Sequence, residues 1–326
     1  MQRWKRRPEG SNWGDFGPHD QIGRLNLITP ERRRAAATEV QEGIAFPLSL
    51  PLDYPRGTMV TDARHPPLLA QTMLYDATAT PHSCDVFCDD KVELCLQFST
   101  QWDALSHVGA LFDADDDGKA EKVYYNGYRG GEDIVADKGD GRPKAGALGI
   151  ENMAETCVQG RGVMVNLHSL FGNEQVHVDL DALMGAMKDQ GATIEPGDML
   201  CLYTGLSATI LDRGDDLTQD ELFKSCPVLD GRDDRLLDWI DDAGIAAIVS
   251  DNIAVEAMTL DGPGEVLLPL HHRCLFKLGI PLGELWYLRD LAEWLRAHDR
   301  TRFLMTAPPL RLPGAVGSPV SGVATV

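Results

Sequence analysis

Two polar clusters contain the residue types that metal-assisted chemistry requires. The first reads Gln101-Trp102-Asp103-Ala104-Leu105-Ser106-His107 and stands where a strand is expected to end. Alternate residues of a strand point to the same side, so Gln101 and Asp103 can face one pocket. His107 lies four residues beyond Asp103, a spacing that one helical turn closes. An amide oxygen, a carboxylate and an imidazole suit a hard or borderline metal ion. The alternative is structural: Asp103 caps a helix and His107 lies in the core.

The second cluster begins with the adjacent residues His271 and His272 and ends at Glu284. We expect a helix over 270–278 that Gly279 closes, with His272 in its first turn and Glu284 just past its end. The following strand can return both side chains to one rim. One of two adjacent histidines is commonly exposed, and we assign that position to His271.

An acidic run over residues 113–118 resembles the opening of a calcium-binding loop. Tyr124 stands at the twelfth position, where such a loop has a bidentate glutamate. We therefore interpret the run as a solvated loop that can edge a substrate cleft. Cys84 and Cys88 also have metal-like spacing, but no second Cys/His pair completes a structural zinc site.

The elements that position these clusters alternate between strand and helix from about residue 160 onwards. Thr29 and Pro30 predict an earlier helix start, and the pattern from residue 84 to 100 favours strands. We predict strands over 163–167, 199–203, 245–249 and 302–307, and helices over 180–190, 236–243, 270–278 and 285–297. The alternation indicates an α/β fold. No linker-like segment divides the chain, so we predict an N-terminal extension (1–35) and one domain (36–326).

Composition limits the classes of partner. The 326 residues carry a formal net charge of −20, which argues against nucleic acid and anionic membranes because both repel such a field. No stretch of about 18 apolar residues is present for a membrane span, and no secretory signal follows the basic start. Seven scattered cysteines fit a cytoplasmic chain with reduced thiols better than a disulfide scaffold.

The two clusters together resemble the cyclase family of metal-dependent hydrolases, which includes kynurenine formamidases and isatin hydrolases. The family signature is His-x-Gly-Thr-His-x-Asp-x-Pro-x-His. Here Asp103 and His107 match it, Gln97 and Gln101 stand at its first two histidines, and Thr100 matches its threonine. A histidine followed twelve residues later by an acidic or amide residue is also typical, as in His272 and Glu284. The sequence resembles most the longer branch, with Thr-Gln-Trp-Asp-x-Leu-x-His.

The resemblance implies a swivelling β/β/α fold with a mixed sheet core and flanking helices, assembled as a homodimer or homotetramer. It also implies one divalent ion, zinc or manganese, whose ligands are Gln101, Asp103, His272 and Glu284. The two glutamines leave too few ligands for a binuclear site, and loss of the metal is the alternative. His107 is implied as the catalytic residue. Candidate substrate-binding residues are Trp13, Trp102, Gln97, Asp251 and His271. For the tryptophans core packing is the alternative, and for Asp251 it is a helix cap.

These expectations lead to a functional hypothesis. The resemblance implies hydrolysis of a cyclic amide, lactone or N-formyl bond in a small, ring-containing metabolite. A second hypothesis keeps the pocket without a metal, as a cyclase, dehydratase or isomerase. A third is a catalytically dead binding protein. Metal content distinguishes the first hypothesis from the other two.

Overall fold

The computed structural model describes residues 2–57, 60–72, 84–85, 87–136, 144–258 and 266–326. Its strands are β1 (Ala45–Pro47), β2 (Leu68–Gln71), β3 (Asp90–Glu93), β4 (Gln101–Asp103), β5 (Ala110–Phe112), β6 (Glu121–Val123), β7 (Ile134–Val135), β8 (Lys144–Ala145), β9 (Gln159–Asn166), β10 (His177–Val178), β11 (Met199–Tyr203), β12 (Val228–Leu229), β13 (Ala247–Ser250), β14 (Leu282–Glu284), β15 (Arg302–Thr306), β16 (Gly317–Pro319) and β17 (Val323–Thr325). Its α-helices are α1 (Pro30–Ala37), α2 (Ile150–Glu155), α3 (His168–Phe171), α4 (Leu180–Gln190), α5 (Leu206–Arg213), α6 (Gln219–Lys224), α7 (Asp234–Asp242), α8 (Pro269–His271) and α9 (Arg289–Ala297). Short 3-10 helices cover Gly23–Leu27, Tyr125–Gly127 and Gly214–Asp216, and a π-helix covers His272–Leu278.

A nine-stranded mixed sheet organises the described residues in the order β1-β17-β15-β9-β11-β13-β14-β4-β16. The central strands β9, β11, β13 and β14 run parallel, and antiparallel strands flank them on both sides. Parallel neighbours need crossover connections, and α4 supplies the connection between β9 and β11. The architecture is the α/β swivelling β/β/α fold with flanking helices that the sequence predicted.

Both faces of the sheet are buried, which is typical of parallel strands. Along β9, Val163 and Val165 belong to one hydrophobic cluster, whereas Met164 belongs to a second cluster on the opposite face. On β11, Leu200 joins the first cluster and Cys201 the second. The alternation follows from the two-residue period of a strand, and it sandwiches the sheet between two apolar layers.

Several predicted elements are confirmed at their ends. Thr29 caps α1 by accepting a hydrogen bond from the Arg32 backbone N–H, and α4 ends at Gly191 in the left-handed conformation. The predicted strand over 199–203 matches β11 residue for residue. These ends carry local signals, a capping hydroxyl at the start and a glycine at the stop.

Three predicted elements are corrected. The strand pattern over 84–100, part of which lies outside the described residues, is reduced to β3, an exposed strand that pairs antiparallel with β2. The helix predicted from residue 285 begins only at Arg289, because Leu285 adopts a left-handed backbone with φ 55°. The helix over 270–278 is a short α-helical turn that continues as a π-helix. A π-helix inserts an extra residue per turn, which sequence periodicity does not reveal.

The N-terminal residues pack directly on the π-helix. The Asn12 side-chain amide donates to the Leu278 carbonyl, and the Trp13 indole N–H donates to the Phe276 carbonyl. Gly23 has φ +54°, and a Cβ there would lie 2.0 Å from the Gly279 carbonyl oxygen, so this contact requires glycine. The boundary between an extension (1–35) and the main domain stays a prediction. Among the described residues, no helix has the length and apolar character needed to cross a bilayer.

Candidate metal centre and active site

The register of β4 and β14 places three polar side chains together. The strands are antiparallel, with Glu284 opposite Gln101 and Leu282 opposite Asp103. Strand alternation turns Gln101 and Asp103 to one side and Trp102 to the other. All three polar side chains are buried, so their charges and hydrogen-bonding groups require partners within the protein.

His271 completes this cluster from α8. Its side chain is 2% exposed, and its Nε2 lies 3.1 Å from Glu284 Oε1 and 3.8 Å from Asp103 Oδ2. Its Nδ1 lies 2.8 Å from Glu256 Oε1 on the other side of the ring. One oxygen or nitrogen from each of Asp103, His271 and Glu284 lies within 4.8 Å of the others, so the three could hold a metal ion.

Glu256 anchors His271 and was not predicted from the sequence. The carboxylate accepts hydrogen bonds from the backbone N–H groups of Leu270 and His271 and faces the imidazole Nδ1. A carboxylate that accepts a hydrogen bond from one ring nitrogen of a histidine fixes which nitrogen carries the proton. The other ring nitrogen is then free to bind a metal. A signal was present in the sequence: Glu256 is a single charge in the apolar run Ile253-Ala254-Val255-Glu256-Ala257.

The electrostatics of the cluster favour a cation. Burial alone would lower the pKa of His271, but Glu256 and Glu284 outweigh burial and raise this pKa to about 10. Burial, reinforced by Asp103, raises the pKa of Glu284. Clustered buried carboxylates need positive charge close by, which the His271 proton or a divalent ion can supply.

Among the described residues, two buried oxygens in the cluster have no hydrogen-bond partner. The Gln101 side-chain nitrogen donates to Glu284 Oε2 at 2.8 Å, but Gln101 Oε1 and Asp103 Oδ2 accept no hydrogen bond from the described part of the chain. Leaving a buried polar atom without a partner costs about 1–3 kcal/mol. Two carboxylates, an imidazole nitrogen and an amide oxygen form a donor set suited to zinc or to a harder ion such as manganese. The residues present therefore fit a divalent ion.

His107 stands between the buried cluster and an open cleft. Its backbone N–H donates to the Ala104 carbonyl in the turn after β4, and its Nε2 lies 3.8 Å from Asp103 Oδ1. The side chain is 24% exposed and lines a cleft of about 690 Å³ together with Ser106. A histidine in this position can exchange protons with a molecule in the cleft.

The sequence and the fold are both similar to those of a known protein family. The Cyclase family model matches residues 46–257. The chain belongs to the cyclase family. A crystal structure described as a novel cyclase is 32% identical, with 97% of each chain covered and a TM-score of 0.80. No curated protein matches this sequence.

More distant solved structures share the fold. Isatin hydrolase A from Ralstonia solanacearum is 14% identical, with 91% of this chain and 97% of that chain covered and a TM-score of 0.58. A predicted metal-dependent hydrolase from Bacillus stearothermophilus is 15% identical, with 87% of this chain and 98% of that chain covered and a TM-score of 0.50. At such identities the likeness establishes the architecture alone.

In this family member the structure corrects the choice between the two histidines. His271, predicted to be exposed or to touch substrate, is buried in the cluster, and His272, predicted as a metal ligand, lies outside it. Consecutive residues on a helix point about 100° apart, so only one of the pair can face Asp103 and Glu284. The His272 ring instead packs on Phe276 at 4.9 Å, and burial, aided by Lys277 and Arg273, lowers its pKa to about 4.

Both tryptophans predicted to bind substrate belong to the core. Trp13 is buried edge-on against Phe276. Trp102 points away from Asp103, packs on Trp286 at 4.9 Å and donates its indole N–H to the Ala307 carbonyl. Neither ring reaches the cleft beside His107, so the core alternative holds for both.

Asp251 is a structural cap rather than a pocket residue. Its buried carboxylate accepts hydrogen bonds from the backbone and hydroxyl groups of Thr204 and Ser207 and from the Gly205 N–H. These donors lie at the start of α5, where a carboxylate satisfies free N–H groups. The prediction that Asp251 touches substrate is corrected in favour of the helix cap.

Two further predicted features are Gln97 and the acidic run over residues 113–118. Gln97 is half-buried beside Gly317, and its side-chain nitrogen has no hydrogen-bond partner among the residues that the structure describes. Its role toward substrate stays a prediction. In the acidic run, the Asp113 carboxylate accepts the backbone N–H groups of Asp117 and Gly118, so the loop is closed by its own hydrogen bonds.

Proposed function

We propose that this protein is a metal-dependent hydrolase that opens a cyclic amide, lactone or N-formyl bond in a small, ring-containing metabolite. The observation that carries the proposal is the buried group of Asp103, His271 and Glu284, which stands behind His107 at the cleft. Two structures of the same fold are named as hydrolases, an isatin hydrolase and a predicted metal-dependent hydrolase. Membership in the cyclase family supports the same class of reaction.

The residues that would hold the ion are Asp103, His271 and Glu284. Gln101 would be a fourth ligand through its Oε1, which accepts no hydrogen bond from the described residues. When bound, the ion would polarise the carbonyl of the scissile bond and make water a stronger nucleophile at neutral pH. The predominance of oxygen donors favours manganese over zinc, because zinc in proteins prefers nitrogen and sulfur ligands.

His107 is the group best placed to move a proton. Its Nε2 would accept a proton from the attacking water and return it to the leaving nitrogen or oxygen. The nearby Asp103 carboxylate, 3.8 Å away, stabilises the imidazolium formed in between. General acid–base assistance of this kind contributes about 10²- to 10⁴-fold to rate.

Glu256 and Gln101 hold the ligands in place. Glu256 keeps the His271 ring oriented, with Nε2 directed toward Asp103 and Glu284. The Gln101 side-chain nitrogen donates a hydrogen bond of 2.8 Å to Glu284 Oε2 and so holds that carboxylate in place. A preorganised ligand set of this kind costs little reorganisation when the ion binds.

A metal-free isomerase or dehydratase is the second candidate, and one observation favours it. Gln101 and His271 both hydrogen-bond to Glu284, so the cluster partly satisfies itself with protons in place of an ion. Such an enzyme would use His107 with the Asp103 carboxylate as its acid–base pair.

Two measurements on the purified protein test the proposal. Elemental analysis without chelator should find about one divalent ion per chain, and a panel of lactones, cyclic imides and N-formyl anilines should yield at least one substrate. Turnover that survives complete removal of metal would favour the second candidate. We further propose a cytoplasmic homodimer or homotetramer, as the family implies, and sedimentation analysis would measure the assembly.

A further inference from the structure

The cleft beside His107 has a charge balance opposite to that of the whole chain. The sequence has 50 acidic and 30 basic residues. Yet the described residues that line the cleft include Lys122 and Lys144 and no aspartate or glutamate. The long-range field of the protein repels anions, so an anion would need local positive charge to bind here.

No described residue neutralises either lysine. Among the described residues, Lys122 and Lys144 form no ion pair. The acids next to them are already engaged. Arg129 forms an ion pair with Glu121 at 3.1 Å, and its backbone N–H donates to the Asp133 carboxylate at 2.8 Å. Both side chains are exposed, so within the described part of the chain their ammonium groups remain available to a bound molecule.

The rest of the lining suits a ring. Apolar side chains of Leu96, Ile134, Val135 and Val316 contribute to the same cleft, together with the Tyr124 ring. A volume of about 690 Å³ is within the range of small-molecule sites, which combine apolar walls with a few polar groups. One molecule could thus contact the apolar wall, the lysines and His107 together.

We propose that the substrate of this site is an aromatic or alicyclic molecule with a carboxylate, which Lys122 and Lys144 bind while its acyl group faces His107. The inference rests on the proposed function, because it names the substrate class of that hydrolase. The requirement for a carboxylate would let the site distinguish between different ring-containing amides and lactones. The buried cluster alone does not distinguish between them. Electrostatic attraction would also speed capture of an anion at low ionic strength.

The test compares two probes of nearly the same shape, the anion naphthoate and the neutral naphthamide. Binding to the full-length protein would be measured by calorimetry or ligand fluorescence at low and high salt. The variants are Lys122→Gln, Lys144→Gln and the double substitution. Lys188→Gln serves as the control. Lys188 is exposed on α4, away from the cleft, and its substitution by glutamine removes the same charge.

Naphthoate should bind more tightly than naphthamide, and each cleft substitution should weaken naphthoate about three- to tenfold while naphthamide changes less than about twofold. Equal affinity for both probes, or equal loss for both in the lysine variants, would overturn the inference. So would an equal loss in Lys188→Gln, which would indicate a general field effect, or no binding of either probe. Because binding needs no turnover, a protein that discriminates the probes yet hydrolyses nothing would contradict the proposed function and leave the anion site intact.

Discussion

Replacement of Glu256 by glutamine would show whether this carboxylate controls the metal centre through His271. Glu256 accepts three hydrogen bonds of 2.8 Å, two of them from the backbone N–H groups of Leu270 and His271 and the third at His271 Nδ1. A glutamine keeps one oxygen, loses the charge and turns an NH2 group toward one of these donors. Loss of such an outer carboxylate weakens metal affinity about 10- to 100-fold, or about 1.4–2.7 kcal/mol.

The assay is competition for manganese or zinc against a chelator of known affinity, with the unfolding midpoint recorded for each variant. Glu174→Gln removes an exposed carboxylate and should leave metal affinity unchanged. If Glu256 acts through the imidazole, Glu256→Gln should have no further effect on the weak residual metal binding of a His271→Ala variant, titrated with metal in large excess. Wild-type affinity in a folded Glu256→Gln variant, or additive losses in the double variant, would refute this reasoning.

Three further predictions concern His107, Gln101 and His271. The His107→Ala variant should keep its metal ion and its fold, while its turnover falls at least about 100-fold. Kinetics and elemental analysis would measure both properties. Loss of the ion in this variant would show that His107 is a metal ligand instead. Gln101→His should tighten zinc binding in a chelator titration if Gln101 is a ligand, whereas unchanged affinity with a raised KM would indicate a contact to substrate. Because the pKa of His271 is raised to about 10, the metal-free protein should lose stability as pH rises from about 7 through 10. Urea unfolding would measure this trend, and a His271→Gln variant that shows the same trend would contradict the assignment.

The sequence predicted the architecture well because its signals are local. The cap at Thr29, the glycine after Gln190 and the continuous apolar run of β11 specify their elements without distant contacts. The β4 cluster was also predictable, since strand alternation alone places Gln101 and Asp103 on one side.

The remaining parts of the site depend on contacts between residues that are far apart along the chain. Such contacts cannot be predicted from the pattern of a single sequence. The choice of His271 over His272 follows from how α8 meets Glu256, fifteen residues earlier, and from the π-helix that starts at His272. Trp102 was assigned to the pocket because it lies between two site residues, yet the same alternation turns it into the core. Glu256 and His271 are far apart along the chain, so sequence spacing gave no indication that they pair.

The central claim is that Asp103, His271 and Glu284 hold one divalent ion. The most direct measurement is metal content per chain after resupply of zinc and manganese, for the wild type and for Asp103→Ala, His271→Ala and His272→Ala. We predict about one ion in the wild type and in His272→Ala, and almost none in the other two variants. A wild type that binds neither metal, or a His272→Ala variant that loses the ion while His271→Ala retains it, would contradict this account.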